Sequence, residues 1–224
     1  MAQRVNPNRG KHKGELMSKE QLLQEFAAAY EQLIETASFA AQRGLTQWQD
    51  TWGPREIMGH LAGWEVMANV RIPRVVAGMP PAEFADQTQQ TVMNDAINAA
   101  FVTLIGEQPL DTLCGLLRQA YQRNVELLKS LEDAFFQPGE YVYERTKGVI
   151  EHCQEHIEGL LLSLASLYQE QGKYAEAEPL FKRALAICER ALSPGHPHTQ
   201  TVRRNYDRLL QEMGGNRRER KEET

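Results

Sequence analysis

Three histidines carry most of the chemistry that this sequence can offer. His152 and His156 stand four residues apart in Gly148 to Gly172, a stretch whose apolar spacing predicts one long helix. Residues so spaced share a helix face, with Cβ atoms roughly 6 Å apart. Two imidazoles there can grip one metal ion, and a third ligand must come from another element. His60 is the candidate. Three neutral imidazoles leave coordination positions open for water or substrate, the pattern of a catalytic zinc site. An ion held that way lowers the pKa of bound water or thiol and supplies a nucleophile near neutral pH. Carboxylates behind the rings would fix their tautomers, and Glu65, Glu151 and Glu155 are near in sequence. Each histidine also has a plainer use. His60 fits a hydrogen-bonded core position, and the pair beside Glu151, Glu155 and Glu158 fits a solvated helix face. Cys153 lies about 100° round the helix from His152 and reads as packing.

The elements that must position these side chains are helical throughout. Glycine and proline cluster between long apolar-periodic segments, and β-branched alternation is almost absent, so the fold class is all-α. A first helix spans about Met17 to Arg43, opened by a Ser18–Gln21 capping box and stopped at Gly44. Leu22, Phe26, Tyr30, Leu33 and Ala37 mark its apolar face. A second helix starts at Gly53-Pro54, where proline suits the first helical position. Ile57, His60, Leu61, Trp64 and Ala68 fall on or near one face of it, and Pro73 kinks or ends it. Gly59 and Gly63 flank the histidine and let a neighbouring helix approach closely; each costs roughly 1 kcal/mol of helix propensity, which argues for a packing reason. Residues 82–107 form an excursion with a helix from about Gln87 to Ile105. Leu110 to about Glu132 is the next helix, with a broad apolar stripe. Phe135 to Thr146 reads as a loop before the histidine-bearing helix. Trp48, Trp52 and Trp64 serve either a pocket or the core, and Tyr141 and Tyr143 are candidate donors at a pocket rim.

Charge limits the partners. Residues 17–158 hold 20 Asp and Glu against 10 Lys and Arg. A body this acidic repels phosphate backbones, which argues against nucleic acid as its partner. No apolar run reaches the roughly 20 residues needed to span a bilayer. The basic, polar N-terminus has no signal-peptide core, and three scattered cysteines make no disulfide framework. Both features suit the cytoplasm, with no membrane association. Residues 1–16 read as a disordered basic arm. Met17, just before the first helix, is a second candidate start.

The segment Trp52-Gly-Pro-Arg-Glu-Ile-Met-Gly-His60-Leu-Ala-Gly-Trp64-Glu65, followed far downstream by His152-x-x-x-His156, resembles the DinB-like superfamily of four-helix bundles. Ser18-Lys-Glu-Gln-Leu-Leu and Met93-Asn-Asp-Ala-Ile-Asn-Ala-Ala-Phe101 look most like its ClbS/DfsB-like branch. The likeness covers residues 17–158. It implies an up-down-down-up bundle with a long crossover and a pocket at one end. By position it makes His60, His152 and His156 ligands of a divalent metal, zinc or nickel. It further implies a small electrophilic substrate, attacked by hydrolysis or by transfer to a low-molecular-weight thiol; some members of the branch need no metal. A shared fold does not fix the reaction.

From Leu161 the pattern changes. Leu164, Ala165, Tyr168, Gly172, Tyr174, Ala177, Phe181 and Ala184 stand at the characteristic positions of a tetratricopeptide repeat, resembling the kinesin-light-chain variety. Small Ala165 and Ala177 let two helices pack closely, Gly172 makes the turn, and Tyr168 and Phe181 fill the groove. Ser193-Pro-Gly-His-Pro197 is the connector, with His196 and His198 solvated. Thr199 to Met213 reads as a capping helix ended by Gly214-Gly215, with 214–224 a disordered tail. The second module is thus 159–213. One repeat plus a cap cannot bury a solenoid core, for which about three are needed. It must lean on the bundle, on a second copy of the chain as a homodimer, or on a protein or peptide partner. If that partner is the whole purpose, the chain is a non-catalytic adaptor.

Overall fold

The computed structural model describes residues 17–47, 52–80, 87–192 and 194–222, with backbone alone for 87 and 215–222. The expected basic arm, Trp48 and the last two residues of the tail lie outside the described residues. Among the described residues there are seven α-helices, one short 3-10 turn and no strand. The chain is all-α.

Helix α1 runs Lys19–Gln42 and begins with the expected reciprocal cap between Ser18 and Gln21. Helix α2 runs Pro54–Val76, with proline in its first turn and Pro73 inside its last. Helices α3, Gln87–Ile105, and α4, Leu110–Ser130, follow. After a 3-10 turn at Asp133–Phe136 comes α5, Tyr141–Glu170, the longest helix at 30 residues. It starts seven residues before the expected Gly148 and takes in Tyr141 and Tyr143. Val142, Tyr143 and Thr146 are buried there, so Tyr143 belongs to the core and not to a rim. Tertiary burial makes this first turn helical, since Glu140 supplies no side-chain cap.

Helices α1, α2, α4 and α5 pack around one core. Lys19 of α1 reaches the carbonyls of Lys129 and Leu131 at the far end of α4, so these two helices run antiparallel. Arg55 at the start of α2 bonds the carbonyls of Gly106 and Gln108 just before α4. Asn69 of α2 and Asn124 of α4 both donate to the Glu65 carbonyl. Helices α2 and α4 therefore run side by side in the same direction. Two parallel helices need a long crossover, and α3 is part of it.

The crossover helix lies on α2 at the two glycines. A Cβ on Gly59 would come within 2.6 Å of the Ile105 side chain, and one on Gly63 within 2.5 Å of the Phe101 ring. Trp64 turns the same way, donating Nε1–H to Asn98 Oδ1 at 2.7 Å and meeting Phe101 edge to face. Trp64 thus anchors α3. Gly63→Leu should push α3 away, at a cost of about 1–3 kcal/mol for overpacking. Limited proteolysis within 87–105 should speed up; an unchanged digestion pattern and unfolding midpoint would count against this packing.

Helix α5 continues without a break through Gly159 into the second module. Gly172, at φ +71°, turns the chain into α6, Tyr174–Ala191. Leu164, Ala165, Ala177, Phe181 and Ala184 are all buried between α5 and α6. Helix α7, Pro197–Glu222, covers them with Val202 and Leu209. It is tied to α5 by Gln169–Glu212 and to α6 by Arg203–Glu189. The lone repeat thus leans on the bundle through a shared helix. Helix α7 also runs past Gly214-Gly215, where the sequence suggested a stop and a disordered tail. Gly214 has no positive φ, and a glycine inside a helix costs only about 1 kcal/mol.

Candidate metal centre

His60 comes from the second turn of α2, and His152 and His156 from the middle of α5. The antiparallel passage of α5 over α2 brings the three rings together. His156 Nε2 stands 3.1 Å from His152 Nε2 and 3.3 Å from His60 Nε2. All three donor atoms lie within 4.8 Å of one another. Two nitrogens on a tetrahedral zinc, each bonded at roughly 2.05 Å, stand about 3.3 Å apart. The spacing therefore fits a single ion.

Electrostatics favour ligation as well. Burial, with His152 adding to it, pushes the His60 pKa down to about 3. Burial also holds His156 well below the ordinary histidine value, with His152 and His60 contributing. Both rings are neutral at pH 7, the form that ligates metal. Neutral rings alone leave the cluster poorly satisfied, because one Nε2 of His156 faces two other ring nitrogens and has a single proton or lone pair to offer. His60 Nδ1 is also buried with no hydrogen-bond partner among the described residues. A cation at the common centre would use all three lone pairs at once.

The surroundings give the site an inside and an outside. His60 is 2% exposed, whereas the His152 side chain is 42% exposed. Trp52 lies edge-on to His60, with centroids 4.8 Å apart, and is itself part-exposed. Of the three tryptophans it is the one described beside the rings. Glu155 Oε2 lies 3.4 Å from His152 Nδ1, so it can hold the proton there and leave Nε2 free. Glu65 does not play this part: its carboxylate is bound by Tyr30, Asn124 and Arg145 in the bundle core. Cys153 is fully buried and is not among the three donors that converge here, so it packs; burial also raises its thiol pKa far above the ordinary value.

Two features escaped the sequence reading. One is the Glu65 network, whose four residues come from four helices. The other lies in the second module, where His198 is not free in solvent but contacts Glu158 Oε1 at 2.5 Å. His196 does stay at the surface, its Nδ1 accepting from the His198 backbone. Neither has a local signal in the sequence, because each contact depends on how separate helices are rotated against one another.

Comparison with known proteins bears on the second module. Residues 159–198 match the tetratricopeptide repeat family, the stretch formed by the end of α5, α6 and the connector. Neither the curated proteins nor the solved structures gave a match to this chain. Among the described residues, no helix is long and apolar enough to cross a membrane. The tetratricopeptide repeat gives the chain a module for protein interaction.

Proposed function

We propose that residues 17–158 form a DinB-like bundle holding one divalent metal ion, zinc or nickel, on His60, His152 and His156. The observation that carries this is the meeting of three imidazole nitrogens from two helices at the spacing of a shared ion. The parallel pairing of α2 with α4 and the long crossover through α3 support the DinB-like reading. Imidazole donors suit zinc and nickel alike. When bound, the ion would supply Lewis acidity and an activated water or thiol. The chain's own residues do the rest. Burial keeps His60 and His156 neutral, Glu155 orients His152, and Trp52 walls one side. The exposed flank at His152 admits a small electrophilic molecule, for hydrolysis or for transfer to a low-molecular-weight thiol. The repeat then brings this bundle to a protein partner.

Metal analysis of the full chain, purified without chelator, tests the site. His60→Ala and His156→Ala should each lower metal content by about one ion per chain, because a three-ligand site does not survive on two. Metal content unchanged in both variants would remove the reading. A non-catalytic adaptor is the second reading, favoured by the match over 159–198. It requires that a partner captured by the full chain still binds the His60→Ala variant and is lost when the repeat surface is altered.

A further inference from the structure

A second cluster of donors stands outside the three-histidine site. Glu158 lies on α5, Cys188 on α6 and His198 on α7, and one donor atom of each falls within 4.8 Å of the others. Cys188 is fully buried, Glu158 is 7% exposed, and the His198 side chain is 48% exposed. The His198 ring contacts the Glu158 carboxylate at 2.5 Å, and burial, with that carboxylate adding to it, raises the Cys188 thiol pKa, so an ion arriving there must displace the thiol proton. We propose that Glu158, Cys188 and His198 form a second divalent-metal site, of the zinc class, which fastens the three helices of the C-terminal module together.

Thiolate, imidazole and carboxylate are the three donor types that zinc takes from proteins. Thiolate disfavours magnesium and calcium, which select all-oxygen sites. Charge also closes: a thiolate and a carboxylate neutralise a divalent ion, so little net charge is buried. M²⁺ plus Cys188–SH gives the metal thiolate and one proton, and a second proton leaves His198 when its ring, whose pKa the Glu158 carboxylate raises, is charged; both pass to solvent at the His198 side. The site also answers a structural need. A single repeat with a cap is short of the roughly three repeats that bury a solenoid core, and an ion shared by α5, α6 and α7 would replace part of the missing interface. None of these residues belongs to the three-histidine site, so this proposal does not rest on that one.

Cobalt(II) is the probe. The full chain is stripped with chelator and titrated with Co²⁺, and thiolate-to-cobalt charge transfer is followed in the near ultraviolet. The three-histidine site has no thiolate and is silent in this band. The wild type should develop it, Cys188→Ala should lack it, and His60→Ala should keep it. His198→Ala changes a half-exposed side chain and should leave the fold intact by circular dichroism. It should weaken cobalt binding by more than about tenfold, the lower range for losing even an outer partner of a ligand. No band at saturating cobalt would overturn the proposal, as would a full band in Cys188→Ala. If Cys188→Ala does not fold, His198→Ala decides: wild-type cobalt affinity there would overturn the proposal.

Discussion

Glu65→Ala should cost about 3–5 kcal/mol of folding stability, the usual penalty for removing one partner of a buried ion pair. Glu65 is 1% exposed and stands where all four bundle helices meet. Tyr30 of α1 donates to its Oε1 at 2.7 Å, Asn124 of α4 donates to Oε2, and Arg145 of α5 pairs with Oε1. Burial is the largest single influence on Arg145 and would lower its pKa, but Glu65, Tyr30 and Tyr141 together outweigh burial and the guanidinium stays charged. Burial, and then Glu65, raise the Tyr30 hydroxyl well above its ordinary value, so it remains a donor. Removing the carboxylate strands a buried cation and two polar groups. Domains are typically stable by only 5–15 kcal/mol, so urea unfolding should show a large fall in midpoint.

A second variant separates the pair's worth from the cost of breaking it. Glu65→Leu combined with Arg145→Met replaces both charges by apolar groups and should recover most of the loss. The bundle would then be held by packing, with the network serving to fix helix register. If Glu65→Ala lost less than about 1 kcal/mol, the network would be wetter and looser than its burial implies.

That network marks the limit of what the amino-acid order reveals. Capping residues speak locally, so Ser18, Gln21 and the Gly53-Pro54 start of α2 were readable, as was the turn at Gly172. Gly59 and Gly63 foretold a close neighbour because two glycines in one helix need a reason. The pairing of His60 with His152 and His156 was readable only by combining two distant segments. Tyr30, Glu65, Asn124 and Arg145 carry no such mark. Glu, Asn and Arg are ordinarily found at surfaces and Tyr is intermediate, and their meeting depends on the relative rotation of four helices. Glu65, five residues after His60, therefore looks from the sequence like a partner of the histidines. His198 was missed for a similar reason: nothing in the connector says that α7 will fold its first turn back onto Glu158. The early start of α5 has no local signal either, and follows from burial of Val142, Tyr143 and Thr146.

Metal at the three-histidine site should stabilise the bundle by a large and removable amount. An ion that binds only the folded chain adds about 4 kcal/mol when its free concentration is about 1,000 times Kd. For a chain of this size, each kcal/mol shifts Tm by about 2–4 °C, so a rise of about 8–16 °C is expected on adding zinc to the stripped protein. The rise should be large because the ligands are already assembled. His60 and His156 face each other at 3.3 Å on two packed helices, and burial keeps both neutral at pH 7. Little ordering and little proton displacement then oppose binding at these two rings. His156→Ala removes the ring that contacts both others, and should abolish this part of the shift. Any rise that survives in His156→Ala but disappears with His198→Ala added belongs to the Glu158–Cys188–His198 cluster. A zinc-induced rise that is the same in wild type and in both variants would mean that the ion binds elsewhere. The bundle would then hold its three imidazoles together by packing alone.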